Sequence, residues 1–132
     1  MRLYALIALG GALGSVLRFW LSGLVATHVG ETFPWGTLFV NVTGSFVIGF
    51  FATLAGPDGR AFVSAETRQF AMTGICGGYT TFSSFSLQTL TLARGGEWLR
   101  AGGNVTGSVL LCLLGVWLGH LAAAQLNALR GA

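Results

Sequence analysis

Residues 74–85 read Gly74-Ile75-Cys76-Gly77-Gly78-Tyr79-Thr80-Thr81-Phe82-Ser83-Ser84-Phe85. They lie inside a segment, about Phe62 to Ala93, that has apolar character and polar flanks but is too long for one straight membrane span. Three glycines in five residues work against a continuous helix, each costing about 1 kcal/mol relative to alanine. The hydroxyl run that follows is too polar to face lipid. Backbone that leaves the helix at membrane depth is tolerated only where protein or a water-filled path surrounds it. Freed carbonyls and half-helix ends at such breaks coordinate ions and substrates. The stretch therefore predicts a third span broken near residues 74–81, in a membrane protein that handles ions.

Composition agrees with a membrane setting. Only 8% of residues are charged and 53% are hydrophobic, which excludes a charge-coated soluble domain. The 132 residues are read as one integral membrane domain, because four spans of about 20 residues use most of such a chain. The other spans are predicted at about 3–25, 35–54 and 101–124, with Trp35 and Trp98 as interfacial anchors and Gly56-Pro57-Asp58-Gly59 as a turn. The first apolar run is longer than a signal-peptide core and carries Arg18 late, so it reads as a retained span. All seven basic residues are arginine, and their scatter argues against a nucleic-acid partner. Cys76 and Cys112 fall in apolar segments without zinc-ligand spacing and read as small buried residues.

Four spans put both termini on one side, with Arg2, Arg60, Arg68 and Arg130 there. Arg94 and Arg100 lie opposite, joined by Arg18 if it reaches that surface. So small a difference orients a chain weakly. Insertion both ways up would permit an antiparallel homodimer.

Several polar groups stand out within the spans. Gly10, Gly14 and Arg18 share one face at i+4 spacing, and Gly103/Gly107 and Gly115/Gly119 repeat the glycine pattern. Small residues so spaced let helix backbones approach closely. Arg18 reads either as a structural anchor or as an attractor of anions. Asn41 carries two amide donors that hydrocarbon cannot satisfy. It is either interhelical glue, at about 0.6–2 kcal/mol, or a station for an ion. Phe82 and Phe85 fall on one face of a helix that starts at the break, amid Thr80, Thr81, Ser83, Ser84, Ser86 and Thr89. Ring edges are weakly positive, so such a lined path suits an anion that must bind and then leave. Asn104, Ser108 and Cys112 form another polar stripe. No carboxylate lies deep in a span, and His120 has no evident acid or nucleophile partner. That argues against a proton-coupled pump and against an enzyme.

The residues alone reach an ion-handling, dimeric, four-span protein and do not select the ion. A small dual-topology transporter is one alternative, although it would need an embedded glutamate. A structural membrane subunit is another, and it leaves the hydroxyl-rich break unexplained.

Taken together, three motifs resemble the Fluc-type fluoride channels, the CrcB family, over nearly the whole chain. Gly10-Gly11-Ala12-Leu13-Gly14-Ser15-Val16-Leu17-Arg18-Phe19 is similar to the family's first-helix pattern, with Phe19 where tyrosine is common. Gly36-Thr37-Leu38-Phe39-Val40-Asn41-Val42-Thr43-Gly44-Ser45-Phe46 resembles the second-helix motif, and Gly77–Phe85 the signature, with Ser84 where threonine is common. Asn104 stands where tyrosine often does. The resemblance implies an antiparallel dual-topology homodimer in the bacterial inner membrane, with two fluoride paths that let cytoplasmic fluoride leave passively. In it Phe82 and Phe85 supply ring edges, Asn41 is a fluoride donor, and Ser108 belongs to a polar track that the Thr81 and Ser84 hydroxyls extend. It also implies a central structural sodium ion shared by the subunits and held by the carbonyls of Gly77 and Thr80.

Overall fold

The computed structural model describes residues 1–129; Arg130, counted above with the arginines on the side of the termini, lies outside the described residues. The chain is all-α, with no strand among the described residues. Helix α1 (Arg2–Val29) ends at Gly30, whose φ of 97° no other residue type adopts cheaply. Helix α2 (Trp35–Leu54) starts directly after Pro34, which is preset for a helix entry. The third segment comes in pieces: α3 (Ala65–Gln69), a π-helical stretch Phe70–Cys76, a last turn α4 (Gly77–Tyr79), then α5 (Phe82–Arg94). Ser64 caps α3 by accepting the Thr67 N–H, and Thr81 caps α5 by accepting the Ser84 N–H. Helix α6 (Trp98–Ala128) closes the chain.

Helices α1, α2 and α6 are each long and apolar enough to cross a membrane, with mean hydropathies of 1.5, 1.7 and 1.9 over their best windows. Their outward faces carry Leu9, Leu13, Trp20, Leu110 and Trp117, all exposed, as a lipid-facing surface requires. Helices α2 and α6 pack against each other along their length. Val42 O faces Gly115, Phe46 O faces Gly119, and Thr53 meets His120 at 2.8 Å. Residue numbers rise together along this contact, so the two helices run parallel. The third segment runs the other way, with Arg68 Nη1 donating to Ala55 O at 2.6 Å and Thr81 beside Asn41. The link from Asn104 Nδ2 to Thr89 Oγ1, 2.9 Å, then sets the end of α5 beside the start of α6.

The glycines play a different part from the one their number suggests. Gly74, Gly77 and Gly78 are all helical, and the helix breaks after them, at Thr80 and Thr81, where the backbone turns extended. Two of the three are there for close approach to α1. A Cβ on Gly10 would lie 2.6 Å from Phe70 O, and one on Gly74 would lie 3.0 Å from Gly10 Cα. Cβ atoms on Gly14 and Gly78 would run into the backbone carbonyls of Ile75 and Gly11. This glycine seam presses the π-helical stretch and α4 onto α1. Gly77 faces away from the seam and is exposed; a Cβ there would meet nothing nearer than Met72 O at 3.8 Å. Of the two glycine pairs in α6, Gly115/Gly119 packs on α2, whereas Gly107 has open space beside it.

Candidate functional site

The break leaves peptide groups at the end of α4 without helical partners, and side chains from α1 and α2 meet some of them. Thr81 N donates to Asn41 Oδ1 at 2.7 Å, and Asn41 Nδ2 donates back to Thr81 O at 3.0 Å. Arg18 Nε donates to Gly78 O at 3.1 Å, with Ser15 Oγ at 3.5 Å from the same oxygen. Tyr79 is buried, its hydroxyl 2.8 Å from Thr43 Oγ1. The carbonyls of Gly77 and Thr80 accept no hydrogen bond from any described residue. Helix-end carbonyls carry partial negative charge, so these two remain available to a cation.

Beside the break lies a cavity of ≈ 450 Å³. Asn41 and Ser45 from α2, Thr80 and Thr81 from the break, Phe82 and Phe85 from α5, and Ser108 from α6 all reach its wall. The sequence-derived candidates Asn41, Thr81, Phe82, Phe85 and Ser108 thus come together in one place. Ser84 does not reach the cavity; its peptide N–H is held by Thr81 Oγ1. The two rings sit 5.2 Å apart at 52°, a tilted pair. They differ sharply in exposure: Phe85 is 8% exposed and Phe82 77%. No carboxylate or imidazole lines the cavity; its polar lining is made of hydroxyls, the Asn41 amide and the Cys76 and Cys112 thiols.

Asn104, almost fully buried, donates to Thr89 Oγ1 and accepts from Ser108 Oγ at 3.4 Å. Its place is therefore structural, tying α5 to α6 and orienting the Ser108 hydroxyl. Sequence reasoning had no view of the links from Ser15 and Arg18 to Gly78. The clue was available: a helix break needs outside donors for its carbonyls, and Arg18 is the strongest donor in α1.

Residues 5–120 match the family described as CrcB-like protein, Camphor Resistance (CrcB). The chain belongs to the CrcB family. The matched stretch runs from the first turns of α1 to His120 in α6 and contains every cavity-wall residue named above. Curated relatives align end to end. A protein of Opitutus terrae is 71% identical over 99% of both chains. One of Rhodospirillum rubrum is 64% identical over 94% of this chain and 96% of its own. A third, of Paramagnetospirillum magneticum, is 63% identical over 96% and 99%. All three are named fluoride-specific ion channel FluC. With three apolar helices of spanning length, this CrcB-family chain is a multi-pass integral membrane protein.

Proposed function

We propose that this chain is a fluoride-selective channel of the bacterial inner membrane, which lets cytoplasmic fluoride leave passively and so limits its toxicity. The reading is carried by end-to-end identity of up to 71% with proteins named fluoride-specific ion channels. The neutral wall of the cavity supports it. Fluoride is small and strongly hydrated, so it needs donors along its way that release it again. Asn41 has two amide hydrogens and spends one on Thr81 O, which leaves the other for an anion. Thr81 adds a hydroxyl, Ser108 adds one if its single proton turns from the long 3.4 Å bond to Asn104 toward the anion, Phe82 and Phe85 add ring edges, and Ser84 extends the polar run along α5. Arg18 acts first as an anchor of the break through Gly78, and its charge favours anions nearby. No bond is made or broken in this passage, so the protein is not an enzyme.

Residues 1–132 act as one integral membrane unit with four crossings, the third broken, and two copies pair antiparallel. The exposed Phe82 ring and the open face of Gly77 favour such a partner. A sodium ion fits the carbonyls of Gly77 and Thr80, which are uncharged oxygen donors without internal hydrogen bonds. Bound there and shared by both copies, it would neutralise the four helix-end carbonyls and hold the pair together.

Expression in a fluoride-sensitive bacterium tests the function. The chain restores growth in fluoride medium if it exports fluoride. Sensitive cells that carry the protein in the membrane and still fail to grow contradict the proposal.

A further inference from the structure

The chain has two cysteines, and they come from different elements, the π-helical stretch and α6. Both are free thiols and both line the one cavity that holds Asn41, Phe85 and Ser108. Cys112 is half-buried, one turn beyond Ser108 on the polar stripe of α6. Cys76 is 6% exposed and sits one turn before the break, where its carbonyl accepts both the N–H and the hydroxyl of Thr80 at 3.0 Å. Neither sulfur makes a hydrogen bond with the described residues or joins a disulfide, so the fold leaves them chemically unspent.

We propose that Cys112 and Cys76 form a covalent shut-off site on the wall of the cavity, taking a monofunctional soft electrophile, an organomercurial cation. This rests on the reading that the cavity belongs to the fluoride path. Hard ions such as fluoride go to hydroxyl and amide donors, while soft cations select sulfur. The same wall thus offers two chemistries that do not compete. With methylmercury chloride the thiol S–H breaks, an S–Hg bond forms, and chloride leaves with the proton as HCl; nothing is oxidised or reduced. The reagent is small and lipid-permeant, so it reaches a cavity at membrane depth. A methylmercury group on Cys112 stands beside the Ser108 hydroxyl. One on Cys76 crowds Met72 and Thr80, its neighbours on the wall.

The test is passive fluoride efflux from liposomes, read as the ratio of treated to untreated flux. The parent, Cys112→Ser, Cys76→Ser and the double variant are compared, with adducts counted by intact mass. Cys112→Ala and Cys76→Ala replace any serine variant that fails to assemble. We expect parent flux to fall about tenfold or more as the path is filled, and excess dithiothreitol to restore it. Cys112→Ser keeps more of its flux than Cys76→Ser, because the more exposed thiol reacts first. The double variant is insensitive. Unreacted thiols, adducts on both sulfurs with an unchanged ratio, or block of the double variant each overturn the shut-off site. A folded parent that carries no fluoride before treatment refutes the channel reading instead, and the two failures are read separately.

Discussion

Asn41 and Thr81 form a closed pair, side-chain amide against backbone peptide, with bonds of 2.7 and 3.0 Å. The pair holds the one extended peptide between two half-helices and sets where Phe82 and Phe85 stand. Asn41→Ala leaves a donor and an acceptor without partners at about 1–3 kcal/mol each. The Thr81 amide then exchanges hydrogen about tenfold faster or more. Asn41→Asp still accepts from Thr81 N but sets a carboxylate against Thr81 O, and it adds negative charge to an anion path. Fluoride flux falls strongly in both variants. Hydrogen exchange at Thr81 that is unchanged in Asn41→Ala would show that the pair does not hold the break.

The two phenylalanines separate on stability. Phe85 is buried within the protomer and Phe82 is exposed on it, so Phe85→Ile lowers the thermal stability of the protomer's helical fold more than Phe82→Ile. Both lose a ring edge, so both lower fluoride flux while size exclusion still reports a dimer. Equal loss of stability, with flux kept, contradicts the roles given to the rings.

The glycine seam makes a graded set. Gly14→Ala and Gly78→Ala push a methyl into backbone carbonyls that cannot step aside, costing about 1–3 kcal/mol or more. Gly107→Ala has open space and serves as the neutral control. Gly77→Val leaves the protomer fold intact and weakens the dimer, because a Cβ there meets only Met72 O, at an ordinary 3.8 Å, within its own chain. A monomeric, helical Gly77→Val protein is the expected result in size exclusion with circular dichroism. A Gly77→Val dimer as stable as the parent argues against the paired carbonyl site.

Topology follows from arginines in the loops. Arg18 is engaged with Gly78 inside the protein, so the sequence count becomes four on the side of the termini against Arg94 and Arg100. That difference stays small, and C-terminal reporter fusions are expected on both sides of the membrane. Extra arginines in the Gly56–Gly59 turn force one orientation and lower flux. A single orientation in the parent rules out dual insertion.

Much of this is legible in the sequence, for identifiable reasons. Apolar length marks α1, α2 and α6, with Trp35 and Trp98 opening the latter two, because membrane spans are set by length and hydropathy. The hydroxyl run marked the break, although it lies at Thr80–Thr81, at the far edge of the interval read from the glycines. The glycines place the break too early because helix propensity alone takes no account of packing. The seam against Gly10, Gly11 and Gly14 gains close packing that outweighs the cost of glycine in a helix. Gathering Asn41, Phe85 and Ser108 in one cavity needed the parallel register of α2 and α6, which no local pattern encodes. The role of Asn104 was hidden for the same reason, since its partner Thr89 lies on another helix.

Halide flux through purified protein is the most direct measurement. Liposomes loaded with potassium fluoride or potassium chloride and carrying the protein are given a potassium ionophore, and each anion is followed with its own electrode. Rapid, protein-dependent fluoride efflux with chloride retained is the predicted result, unaffected by a proton gradient because no carboxylate or imidazole lines the cavity. Chloride leaving as fast as fluoride, or fluoride leaving only when a proton gradient drives it, would contradict a passive fluoride-selective path.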